Sequence, residues 1–215
     1  MLDPAQRLNQ LLLAANSPPL AEAQSEQFAA YLTLLQKWNA KTNLTAIRDA
    51  EGIQSRHFLE SILCARSLPE NVSTLLDFGS GAGFPGLPIA ILRPEIAVTL
   101  AESQNKKAAF LREAIRVLGV QATVHPSRAE TLTQRFDCVT LRAVDNPTQA
   151  HPAAIQLLNP TGWLAQLSTL ADTPSLESLA SASAHFQWFP LQPLPAKTER
   201  VLLLGNRLES PFNIE

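Results

Sequence analysis

As a pattern of apolar and polar positions, the chain divides near residue 70. Before that point apolar residues recur every three or four positions. Phe28, Tyr31, Leu32, Leu35 and Trp38 fall on one helical face, and Ile53, Leu59, Ile62, Leu63 and Leu68 form a second such series. Asp3-Pro4 reads as the N-cap and first residue of a shorter helix to about Ala15, which Asn16-Ser17-Pro18-Pro19 breaks. Ser25 is placed to cap the second helix, and Asp49 precedes the third. The polar run Asn39–Thr45 reads as a loop, with Lys37 and Lys41 near the helix end where cations suit the dipole. Residues 1–70 are expected to form an N-terminal helical region.

From Thr74 the period changes. Short apolar runs at Thr74–Leu76, Ile96–Ala101, Ala122–Val124, Asp137–Leu141 and Trp163–Leu167 read as strands. Between them lie helical patterns at Leu87–Leu92, Gln104–Leu118 (with Gly119 just beyond its end), Pro147–Leu158 and Leu176–Ala184. Such alternation predicts a mostly parallel sheet with helices on both faces. Two late runs, Phe186–Phe189 and Val201–Leu204, flank the proline-rich Leu191–Ala196 without a helix and predict an antiparallel hairpin at one edge. Residues 71–215 are expected as one α/β domain.

Composition narrows the class. The chain has 215 residues, 46% of them hydrophobic and 17% charged, which suits a large core rather than disorder. No apolar run approaches the ~20 residues of a membrane span, and Met1–Arg7 lacks the layout of a secretory signal. No membrane association is expected. Cys64 and Cys138 are far apart in sequence, so a disulfide framework or cysteine zinc site is not expected and a reducing cytoplasm fits. His57, His125, His151 and His185 show no metal spacing, and no metal site is expected. The formal net charge of −2 weighs mildly against nucleic acid, although a local basic face is enough. Lys37, Lys41, Arg48 and Arg56, and Lys106, Lys107, Arg112 and Arg116, are the two basic groups.

Half of the glycines change the picture most. Gly79, Gly81, Gly83 and Gly86, four of eight, stand between the first strand and its helix. Glycine there permits positive φ and lets another molecule approach the backbone, and amides at a helix start favour electron-rich ligands. The order G-x-G-x-G-x-x-G, with Asp77 before the first glycine and Glu102 closing the second strand, differs from the G-x-G-x-x-G of nicotinamide enzymes. It is closer to an S-adenosylmethionine site, with Glu102 placed to accept ribose hydroxyls. A nicotinamide oxidoreductase and a non-catalytic nucleotide-binding module are the remaining alternatives.

The run Asp77–Pro88 resembles that of the RsmG (GidB) methyltransferases. Lys37-Trp38-Asn39, Asn43-Leu44-Thr45, Arg56–Ser61, Lys106-Lys107 with Phe110-Leu111, Ser127–Glu130 and Leu141-Arg142-Ala143 are similar to that family in the same order. The resemblance implies a Rossmann-like class I methyltransferase with a helical extension. Its cofactor would be S-adenosylmethionine and its product N7-methylguanine at one position of 16S rRNA. It further implies cofactor contacts at Gly79, Phe84, Ala129 and Glu130, with Arg142 at the mouth of the pocket as a further cofactor contact; the glycine motif and the end of the second strand add Asp77, Gly81 and Glu102. The expected partner is 16S rRNA in the small ribosomal subunit or its precursor, with no DNA; the expected setting is the cytoplasm and the expected state a monomer. The alternative acceptors are another RNA, a protein or a small molecule. Ser168-Thr169 stand where the family carries a lysine-glycine pair.

Guanine N7 has a lone pair and no proton, so no general base is required. Arg142 and His57 are therefore expected as positioning residues rather than as acid or base.

Overall fold

The computed structural model describes residues 3–195 and 199–209. The described residues begin with α1 (Pro4–Ala14), capped by the Asp3 side chain on the amides of Ala5 and Gln6. Helix α2 spans Glu22–Thr42, one full helical turn earlier than a Ser25 cap allows. The Gln24 side chain accepts from the amide of Ala21 instead, and Ser25 sits inside the helix. The polar run Asn39–Thr45 is helical as far as Thr42. Buried Asn39 folds the following loop back, donating to Thr45 O at 3.0 Å and accepting from Thr45 N at 2.9 Å. A three-residue helix α3 (Ala50–Gly52) leads into a π-helical stretch, Ile53–Phe58, and then α4 (Leu59–Ser67).

The sheet is ordered β3-β2-β1-β4-β5-β8-β6, with β7 also paired to β8. Strands β1 (Thr74–Phe78), β2 (Ala97–Ala101), β3 (Ala122–His125), β4 (Phe136–Arg142) and β5 (Leu158–Thr169) are parallel. β8 (Arg200–Arg207) runs antiparallel to β5, and the short β6 (Phe186–Trp188) and β7 (Gln192–Leu194) pair with its far edge. The late strands are thus antiparallel, but the last of them lies inside the sheet. β7 falls within the proline-rich stretch, where Pro193 is tolerated because an edge strand bonds on one side only. Ala196 and residues 210–215 lie outside the described residues. β5 starts at Leu158, before the Pro160-Thr161-Gly162 turn, and its ladder with β4 is irregular between Phe136 and Cys138.

Helices α5 (Gly86–Leu92), α6 (Asn105–Leu118), α7 (Pro147–Gln156) and α8 (Thr173–Ser181) cover the two faces. Successive strand residues point to opposite sides. Leu75, Cys138 and Ala165 join a cluster with Leu8 of α1, Phe28 of α2, Ile62 of α4, Leu87 of α5 and Phe110 of α6. Leu76, Val139 and Leu164 join another with Ala154 of α7 and Ala180 of α8. The N-terminal helices therefore share one apolar core with the sheet. β1 has β2 on one side and β4 on the other, so the strand order reverses beside it, and such a switch point opens a crevice at the carboxyl ends of the strands.

Candidate functional site

The floor of that crevice is the turn after β1. Gly79 has φ +74°, and a Cβ built there meets nothing within 4 Å. Its backbone is bare toward open space, so a ligand can come close. Gly86 differs: a Cβ there would strike Leu100 and Asp77, so its job is tight packing of α5 on the sheet. Asp77 is 1% exposed and lies beneath the turn, not in the cavity wall. Its carboxylate accepts from Gly86 N at 3.2 Å and Thr140 Oγ1 at 2.9 Å. Burial pushes this carboxyl up to about 6, against the hydrogen bonds that favour its charged form. Asp77, expected among the cofactor contacts, is thus placed beneath the turn: an acid inside an apolar strand, with helices on both sheet faces, points into the core. Glu102 is the acid that lines the cavity. It accepts from Gly81 N at 3.0 Å and Gln104 N at 2.7 Å, tying the turn to the end of β2.

The cavity holds about 560 Å³. Gly79, Gly81, Phe84, Glu102, Ala129, Glu130, Arg142 and His57 all line it, brought together from three strand ends, the glycine turn and the π-helical stretch. Ser168 and Thr169 do not line it: Ser168 pairs with Val201, and Thr169 Oγ1 donates to Asp172.

The wall above the floor comes from the helical region. The π-helical stretch carries Arg56 and His57, and buried Glu60 follows in α4. Glu60 is ringed by guanidinium groups: Arg142 at 3.0 Å, Arg200 at 3.1 Å and Arg56 at 3.4 Å. Arg142 also donates to Arg56 O at 3.0 Å, and its Cζ lies 5.8 Å from the Phe84 ring centroid. Burial lowers the Arg142 guanidinium to about 10, the Glu60 charge working against the fall. The group stays protonated at neutral pH. Nη1 of Arg142 is buried without a hydrogen-bond partner among the described residues. The His57 ring stacks on Phe84, centroids 4.7 Å apart at 18°, and Nε2 lies 2.7 Å from Thr45 Oγ1. Burial, then the charges of Arg142, Arg56 and Arg200, pushes the imidazole down to about 3, so it is neutral at physiological pH.

Sequence reasoning missed Glu60 as a hub, Arg200 as its third partner, and Thr45. The i,i+4 spacing of Arg56 and Glu60 was a usable signal for the first; Arg200 is 140 residues from Glu60, and no local pattern joins them. It also missed the turn Ala143–Asn146, which lines the cavity after β4, with Ala143 at φ +51°. Among the described residues no cluster of His, Cys, Asp and Glu could hold a metal ion.

A mostly parallel sheet with antiparallel strands beyond β5, a glycine turn after β1, an acid closing β2 and a cavity across the strand ends define the class I, S-adenosylmethionine-dependent methyltransferase fold. The chain superposes on the S-adenosylmethionine-dependent O-methyltransferase of Thermotoga maritima with TM-score 0.58 at 15% identity, over 82% of this chain and 72% of that one. The sequence pattern of the rRNA small subunit methyltransferase G family (GidB) matches residues 24–186, and the chain belongs to that family. It is 54% identical over 132 residues to the ribosomal RNA small subunit methyltransferase G of Roseiflexus sp. strain RS-1, covering 58% of this chain but 56% of that protein. The chain thus spans little more than half the length of that relative. With the protein of the same description from Xanthomonas campestris pv. campestris strain B100 the identity is 38% over 195 residues, 87% of this chain and 91% of that one.

Proposed function

We propose that this chain transfers the methyl group of S-adenosylmethionine to N7 of a guanine in 16S rRNA, within the small ribosomal subunit or its precursor. The observation that carries the reading is the pairing of two unlike surfaces around one cavity. A bare glycine floor with Glu102 suits a nucleoside cofactor, and Arg142 of β4 with His57 of the π-helical stretch gives the opposite side a cation and a ring toward an acceptor. No helix among the described residues is long and apolar enough to cross a membrane. We place the reaction in the cytoplasm, with the chain acting as a monomer.

The residues fit the cofactor. Gly79 leaves room for close approach, Gly81 presents backbone beside Glu102, and each Glu102 oxygen keeps a lone pair for a ribose hydroxyl. Ala129 and Glu130 border the adenine end. The unpartnered Nη1 of Arg142 suits a carboxylate or phosphate oxygen. Asp77 acts from beneath, holding the turn in shape.

S-adenosylmethionine supplies an electrophilic methyl group on a sulfonium. Guanine N7 needs no proton removed, and the wall offers no base: His57 is engaged with Thr45 and Asp77 is turned into the core. The chain's work is to align the base with the methyl and exclude water. The base gains positive charge as the reaction proceeds, so bare arginines would oppose it. Glu60 offsets the charge of Arg142 at 3.0 Å, letting Arg142 hold an anion without raising the barrier at the base.

Methyl-labelled cofactor, reconstituted small-subunit particles lacking the modification, and cleavage at N7-methylguanine test the reading. One labelled guanine in 16S rRNA is the expected result. Label on ribosomal protein or at another base atom would overturn it.

A further inference from the structure

The His57 side chain has one use on the page and one atom left over. Nε2 lies 2.7 Å from Thr45 Oγ1, and that hydroxyl already accepts from Ile47 N at 3.2 Å. The Thr45 proton therefore has one acceptor in reach, Nε2. If Nε2 carried the proton instead, both the Thr45 hydroxyl hydrogen and the Nδ1 lone pair would go unused. The network that leaves fewest groups unpaired puts the imidazole proton on Nδ1. Nδ1 is buried and has no partner among the described residues. A buried donor without an acceptor is costly, so this N–H calls for one from outside the chain. The ring stacks on Phe84, which also packs on Tyr31 and Phe58 and has the Arg142 guanidinium nearby; His57, Phe84 and Arg142 all line the cavity. Three arginines nearby disfavour a second proton on the imidazole. The donor is thus neutral, and a neutral donor can sit beside a base that turns cationic.

We propose that His57 is a specificity-determining residue, its Nδ1–H donating to O6 of the target guanine when the base enters the cavity beside it. The inference rests on the proposed function. O6 neighbours N7 on the same edge of guanine, so a donor there fixes the base with the N7 lone pair left free. Adenine carries an amino group at the same place and would set donor against donor. Nδ1 is closed to solvent, so the wall must open by a small shift as the base arrives. The hydrogen bond is then made only with a purine that carries a 6-oxygen.

The test uses the full chain and reconstituted particles whose target guanine is replaced by inosine, which keeps O6, or by 2-aminopurine, which lacks it and keeps N7. The unaltered chain is expected to prefer guanine and inosine over 2-aminopurine by about 10- to 100-fold in kcat/KM. In His57→Ala this preference falls to about 1, while affinity for S-adenosylhomocysteine stays within about twofold. Should His57→Ala fold poorly, two amide variants replace it. His57→Asn puts an N–H near the Nδ1 position and keeps the preference, and His57→Gln, which reaches toward Nε2, loses it. A preference that survives in His57→Ala, or that is equal in the two amide variants, overturns the proposal. So does an equal loss on all three bases together with weakened S-adenosylhomocysteine binding, which would assign the donor to the cofactor. If the unaltered chain leaves no N7 mark on guanine particles at all, the proposed function itself fails and takes this inference with it.

Discussion

Of the three buried carboxylates at the cavity, Asp77 and Glu60 have opposite surroundings. Asp77, in the floor, has neutral partners only: one backbone amide and one hydroxyl. Glu60, in the wall, faces three guanidinium groups. The first holds backbone in place and is pushed up toward its neutral form. The second gathers cations contributed by the π-helical stretch, β4 and β8. One fold therefore uses the same functional group for two purposes: where only hydrogen bonds surround a carboxylate it fixes shape, and where charges surround it, it sets the local potential.

The contrast breaks most sharply at Glu60. Glu60→Ala leaves three guanidinium groups without their shared partner and should destabilise the chain by about 3–5 kcal/mol in urea unfolding. A loss below about 1 kcal/mol would mean that solvent already compensates the arginines, and the wall would be no different in kind from the floor. At the floor, Gly79→Val places a branched side chain at φ +74° and into the cavity. S-adenosylhomocysteine affinity measured by calorimetry should fall by at least about 100-fold. Retained affinity would move the cofactor away from the turn.

Acidity sharpens the comparison further. The Asp77 carboxyl is held at about 6, above its ordinary 3.8, so the folded chain binds this proton more tightly than the unfolded one. Its stabilising share is complete below pH 3.8 and is lost as pH rises through about 6. His57 is the reverse: held at about 3, below its ordinary 6.5, its share is complete above 6.5 and is lost as pH falls toward 3. Between about pH 4 and 6 the two oppose each other. Relative to the unaltered chain, Asp77→Asn should gain stability as pH rises and His57→Gln as pH falls, each by roughly 2–3 kcal/mol across the window. Parallel stability curves for the three proteins would remove the distinction. The smallest effect is expected from Thr45→Val, which deletes the hydroxyl beside His57 and should cost about 1 kcal/mol in thermal unfolding. No change at all would cut Thr45 out of the wall.

Much of the floor was legible in the sequence and little of the wall was. The strand and helix order from Thr74 followed from period except for β7, hidden in the proline-rich stretch, and the glycine spacing pointed to the end of β1, where the cavity lies. The motif position of Asp77 suggested ligand contact, and the burial of its carboxylate beneath the turn was not legible from it. Its neighbours Leu75 and Leu76, apolar, buried and on opposite faces, describe a strand covered on both sides. The boundaries of α2 escaped because Asn39 and Thr42 bond to nearby backbone oxygens, so polar residues that usually end a helix were satisfied inside one. The π-helical stretch has no mark in a period of 3.6. The Glu60 cluster joins segments separated by up to 140 residues, and charge pairing at that range is a product of the fold, not a pattern along the chain.

β8 carries a consequence for how the chain comes into being. A ribosome delivers residues in order, and β1 through β5 can pair while synthesis continues. Arg200 and the antiparallel partner of β5 emerge only after all five parallel strands. Until then Glu60 has two of its three cations, and the inner face of β5 has no neighbour on one side. A nascent chain that stalls short of β8 holds the glycine turn but not the finished wall. The cation ring around Glu60 is thus closed only once β8 has joined β5.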